Sequence, residues 1–78
     1  MKYQSGETIM KGDRVLHAGK PATIDFVASN PNDPDPSIAW HVHDSGGGVM
    51  ILDPAFGPMF IPHDQLADYE DLEFVARG

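Results

Sequence analysis

Apolar and polar side chains alternate with a period of two through much of this chain. In residues 20–29, Ala22, Ile24, Phe26 and Ala28 alternate with Thr23, Asp25, Val27 and Ser29. That pattern predicts a strand with one buried face, and a one-residue slip would carry Asp25 into the core. Residues 13–18 form a preceding strand, joined to it by a tight turn at Gly19 and Lys20. Residues 38–43 read as a third strand, with Trp40 and Val42 inward and His41 and His43 outward. Residues 49–52 are apolar on both faces, which predicts a central fourth strand. Residues 59–61 supply a fifth, and in the last strand, 71–77, Leu72, Phe74 and Ala76 alternate with Glu73, Val75 and Arg77.

Turn residues separate these runs. Residues 30–37 carry Pro31, Pro34 and Pro36, which remove backbone donors and restrict the residues before them, so they read as a stiff acidic loop. Residues 44–48 and 53–58 are two further turns, the first with three successive glycines. Residues 64–66 could form one turn of helix with Leu66 inward, and residues 1–12 a lead-in that packs Ile9 or Met10 on the body. No segment repeats apolar residues at helical spacing over three turns. The expected fold is therefore all-β: one domain spanning 1–78, a small barrel of five to six short antiparallel strands. At most one short 3-10 turn is expected, before the last strand.

Size and charge narrow the functional classes. A chain of 78 residues buries only about 60–65% of its unfolded surface, and with no cysteine it has no disulfide or thiolate site to reinforce it. The formal charge is −7, from 12 acidic and 5 basic side chains, a field that repels phosphate backbones. No nucleic acid partner is expected; a basic protein suits this field better. The N-terminus lacks an apolar signal region, and the longest aliphatic run, 49–52, is far short of a membrane span. A soluble, cytoplasmic protein without a membrane partner is the expectation. Edge strands in so small a fold also suggest a homodimer made by edge pairing.

Gly12-Asp13-Arg14-Val15, followed by Gly19 and Ala22-Thr23-Ile24, is similar to the opening hairpin of KOW-type barrels. A helical turn before the last strand resembles the ending of SH3 folds. The chain therefore resembles the SH3-like barrel superfamily. It also looks like a group of short acidic bacterial proteins that begin near Met1-Lys2-Tyr3 and Ser5-Gly6-Glu7 and end in a strand of the Asp71-Leu72-Glu73-Phe74 type with an arginine. That second resemblance implies a single-domain barrel and, through genes for toxins or secretion nearby, an immunity- or inhibitor-like role. Neither family's ligand carries over. RNA-binding KOW domains are basic, and the aromatic run of a peptide-binding SH3 groove is replaced here by scattered Tyr3, Trp40, Phe56, Phe60 and Tyr69.

Several residue groups could carry chemistry. On a strand, His41 and His43 would share a face about 6.5–7 Å apart. They could hold a metal with a third ligand from His17, Asp44, Asp53 or His63. His43-Asp44-Ser45 has the residue types of a hydrolytic triad, but consecutive strand side chains diverge where a triad must converge. Gly46-Gly47-Gly48 lacks the Lys-Ser/Thr and helix start of a phosphate loop and reads as a turn. Asp64, Asp68, Glu70, Asp71 and Glu73 form an acidic patch suited to docking a basic partner, and Phe56 sits at a loop tip where aromatics anchor partners. The expected function is thus a non-catalytic protein-interaction module without a cofactor, binding through Phe56 and the acidic patch. A metal-binding protein using His41 and His43 is the alternative.

Overall fold

The computed structural model describes residues 1–66 and 68–78. Five strands form one antiparallel sheet: β1 (Arg14–His17), β2 (Lys20–Ala28), β3 (Gly48–Asp53), β4 (Gly57–Pro62) and β5 (Leu72–Ala76). Their order is β4-β3-β2-β1-β5, so four strands form a meander and the last returns to lie beside the first. Two short helices complete the chain, α1 (Pro36–Ser45) and α2 (His63–Leu66). The fold is mostly β, as the alternation predicts, with five strands.

The inward positions follow the pleat. Val15, Ala22, Ile24, Val49, Ile51, Ile61 and Leu72 are all buried on one face of the sheet. Tyr3 and Ile9 from the N-terminal segment and Leu66 from α2 cover that face and complete the core. Each fully buried Val or Ile contributes about 1.5–3 kcal/mol of transfer free energy. Of the two lead-in candidates, Ile9 is buried while Met10 stays exposed.

The expected strand at 38–43 is a helix. Asp35 caps it, its carboxylate accepting from the Ser37 amide at 3.0 Å and the Ser37 hydroxyl at 2.7 Å. Pro36 opens the first turn, where its missing N–H costs nothing. Gly46 ends it at φ 76°, donating its N–H to the Val42 carbonyl at 2.9 Å, while Gly47 donates to the His41 carbonyl at 3.3 Å. The prolines of 30–37 thus belong to a helix entry as well as a loop. The structure also exceeds the single 3-10 turn expected.

This change relocates Trp40. It is 57% exposed, not part of the core. Ile38 and Val42 lie one helical turn apart and are both half-buried, so the apolar pair that matters has a spacing of four.

A bulge in β2 sets where α1 packs. Ile24 pairs with Ile51, but Phe26 pairs with Met50, which leaves Asp25 as the extra residue. Phe26 is thereby turned to the outer face, away from Ala22 and Ile24, contrary to the simple alternation. Phe26, Met50 and Phe60 are cross-strand neighbours there. Helix α1 covers them through His41, whose ring stacks on Phe60 at 4.2 Å and tilts against Phe26 at 5.8 Å. Among the described residues, neither helix packs on the remainder of the outer face, over β5, β1 and the start of β2.

Candidate interaction surface

One end of the sheet gathers the turn between β1 and β2, the turn between β3 and β4, and the residues leading into β5. Two buried polar side chains, His17 and Asp53, sit at this end beneath the turns. Both lie two residues beyond a core position, Val15 and Ile51, so the pleat directs them inward. His17 Nδ1 is 3.3 Å from an Asp53 carboxylate oxygen, and its Nε2 is 2.6 Å from the Tyr69 hydroxyl. With Asp53 ionised, the consistent arrangement has Nδ1–H donating to Asp53 and the Tyr69 hydroxyl donating to Nε2. The imidazole also stacks on the Tyr69 ring at 5.8 Å and 7°.

Asp53 uses its other oxygen to shape the turn. It accepts from the Ala55 amide at 2.8 Å and the Phe56 amide at 3.2 Å. Those amide bonds, the Ala55 one foremost, together with His17, hold its carboxyl below the usual range against the opposing effect of burial. The result is a fixed turn with Phe56 at its tip, 73% exposed. The Lys20 ammonium lies 5.8 Å from the Phe56 ring centroid.

The triplet Asp53–His17–Tyr69 therefore ties the Phe56 turn to the acidic segment flanking Tyr69. Burial and the neighbouring Asp71 charge push the Tyr69 phenol up, which favours the protonated hydroxyl that donates to His17.

The expected acidic patch divides. Asp64, Asp68, Glu70, Asp71 and Glu73 are all exposed. Asp71 lies at the Phe56 end, its carbonyl accepting from the Ala18 amide at 2.8 Å, and Glu73 pairs with Leu16 one step further in. Asp64 belongs to α2, which follows β4 at the opposite end of the sheet, where the His63 amide donates to the Gly47 carbonyl at 2.8 Å. Glu70, Asp71 and Glu73 thus accompany Phe56, and Asp64 does not.

The histidine pair loses its geometric premise. His41 and His43 are on a helix, where residues two apart face different directions. His41 lies against Phe26 and Phe60, while His43 Nε2 is 3.2 Å from the Pro31 carbonyl. Among the described residues, no group of three or more His, Cys, Asp or Glu side chains is placed to hold a metal ion.

A second buried polar centre braces the N-terminal segment. Asp13 is 1% exposed and its carboxylate accepts from the Tyr3 hydroxyl at 2.7 Å, the Met10 amide at 3.0 Å and Arg77 at 2.7 Å. Burial alone would raise the Asp13 carboxyl, but these three donors outweigh it and hold it below the usual range. The Tyr3 phenol is pushed well up by burial and by the Asp13 carboxylate. Arg77 also donates to the Thr8 carbonyl at 2.7 Å, so this centre joins the chain's two terminal segments.

Comparison with protein-family models, curated proteins and solved structures finds no match.

Proposed function

We propose that this chain is a non-catalytic protein-interaction module on an SH3-like barrel, binding a basic partner at the end of the sheet that carries Phe56. The strand order, the β2 bulge and the helical turn before β5 support the barrel reading. The observation that carries the binding reading is the Phe56 turn: a large aromatic held out from the surface by a buried carboxylate. A preorganised aromatic buries much area while losing little conformational freedom, which is what an interface anchor needs. Glu70, Asp71 and Glu73 supply the negative rim that would steer and orient a basic surface. An immunity- or inhibitor-like role against a basic protein, acting in the cytoplasm, is the concrete form of this reading. Among the described residues, no helix is long and apolar enough to cross a membrane.

The test is site-specific photo-crosslinking in the native cell. A photoreactive phenylalanine at position 56 should give a discrete adduct with a basic protein. The same group at Ser29, at the far end of β2, should give none. Equal labelling from both positions, or none from position 56, would remove the proposal.

A further inference from the structure

The strand order gives the sheet two edges, the outer sides of β4 and β5. In an antiparallel pair, successive residues direct their N–H and C=O alternately toward the neighbouring strand and away from it. The His63 amide donates to the Gly47 carbonyl, so the register turns Pro58, Phe60 and Pro62 outward on β4. The two prolines have no N–H to offer, which blunts that edge.

The edge of β5 is not blunted in this way. The Ala18 amide donates to the Asp71 carbonyl, so Asp71 and Glu73 turn their backbone groups to β1. Leu72 and Phe74 therefore direct an N–H and a C=O each away from the sheet. No proline interrupts Leu72–Ala76, and among the described residues no strand or turn pairs with this edge. A pocket of about 340 Å³ lies against Leu72 and Phe74, lined also by Gln4, Ser5, Glu70 and Glu73. Donors, acceptors and space thus coincide on the strand that begins at the Phe56 end.

We propose that β5 takes an extended basic segment of the partner as an added strand, hydrogen-bonded to Leu72 and Phe74, with a lysine or arginine opposite Glu73. The inference rests on the reading of a basic partner at the Phe56 end and names how part of that partner is held. Charge selects the occupant. The position opposite Glu73 is a non-hydrogen-bonded pair, where facing side chains come closest and an opposite charge is favoured over a like one. Glu73 has no salt bridge among the described residues, and Glu70 lies on the same pocket. A second copy of this chain fits badly. Two-fold pairing that uses Leu72 and Phe74 of both chains sets Glu73 directly against Glu73, in chains that each carry −7. The segment's side chains next to the basic one point to the face of Leu72 and Phe74.

The probe is a synthetic peptide of alternating valine and arginine, added up to ~1 mM to the isotope-labelled full chain. Amide hydrogen exchange at Leu72 and Phe74 should slow about tenfold when free peptide stands at ten times its Kd. N-methylation of the valine amides, which face β5 when arginine is opposite Glu73, should abolish the slowing; N-methylation of the arginine amides should not. Glu73→Lys should weaken the arginine peptide about threefold to tenfold and favour a matched peptide with glutamate in place of arginine. Glu73 is exposed, and circular dichroism should show that variant folded. No slowing at ~1 mM, equal slowing by the glutamate peptide, or indifference to which amides are methylated would each overturn the proposal. So would slowing that grows with protein concentration without peptide, because a second copy would then fill the edge. The peptide need not reach Phe56, so Phe56→Ala should leave its effect unchanged. A protein captured at position 56 that leaves Leu72 and Phe74 exchanging freely would remove this inference alone. Peptide-dependent protection of the edge, with no adduct at position 56, would support it and remove the Phe56 reading alone.

Discussion

Replacing Asp13 by alanine is the most demanding single perturbation of this fold's polar framework. Asp13 lies at the entrance to β1, and its carboxylate is the shared acceptor for Tyr3, Met10 and Arg77. Removing it strands the Tyr3 hydroxyl and the Met10 amide. The buried Tyr3 hydroxyl left without an acceptor costs about 1–3 kcal/mol, and the part-buried Met10 amide about 1 kcal/mol. Arg77 contributes less: its side chain is 47% exposed, so it can turn to water, and the lost pair is worth about 1 kcal/mol at most. The sum is about 2–5 kcal/mol, against a total stability of about 4–12 kcal/mol for a chain of this length. Urea unfolding followed by far-ultraviolet circular dichroism measures it. With a slope near 1 kcal/mol/M, the midpoint should fall by about 2 M or more, or the variant should be unfolded in buffer. Tyr3→Phe alone should cost about 1 kcal/mol, and almost nothing when added to Asp13→Ala, because its acceptor is already gone. A loss below about 1 kcal/mol for Asp13→Ala would refute the assignment of this carboxylate as the brace of both termini.

Other consequences can be checked on the same material. Gly48→Ala should cost about 2–4 kcal/mol by thermal or urea unfolding, because an added Cβ would lie 2.2 Å from the Ile61 carbonyl oxygen and 3.0 Å from the Pro62 Cα. Trp40 fluorescence should be quenched readily by acrylamide, since its ring lies on an exposed part of α1; a shielded tryptophan would instead favour a strand with Trp40 in the core. The lowered Asp13 and Asp53 carboxyls contribute stability that is fully present above the ordinary carboxylate range and is lost as pH falls through their folded values. Stability should therefore drop below about pH 4, with part of that slope missing in Asp13→Asn. The raised Tyr3 phenol acts in the opposite sense, its contribution being present below about pH 10 and lost at higher pH.

The strands were legible where one face is buried, because Val15, Ala22, Ile24, Val49 and Ile51 impose a period of two. Residues 38–43 were ambiguous: Trp40 and Val42 suit a strand, while Ile38 and Val42 suit a helix. Six residues cannot separate those periods. Capping by Asp35, Pro36 and Gly46 decides the matter, and those same residue types also mark loops. The Asp25 bulge was hidden for a different reason. An inserted residue leaves local alternation intact and changes only which face follows it. Phe56 at a turn tip was readable from its Pro and Gly neighbours. The polar support beneath it was half readable, since His17 and Asp53 continue the inward parity of their strands. Tyr69 lies in an irregular segment, and only the tertiary fold brings it to His17. Asp64 shows the converse: near in sequence to Asp71, it is carried to the other end of the sheet by α2.

The proposed partner would dock on the end of the sheet organised by Asp53, His17 and Tyr69. The most direct measurement is an amide chemical-shift map of isotope-labelled protein titrated with the protein captured from position 56. The largest changes should fall at Ala55, Phe56, Glu70 and Asp71, with loss of binding in Phe56→Ala at unchanged stability. Changes concentrated on α1, around Trp40 and His43, with Phe56→Ala binding normally, would contradict it.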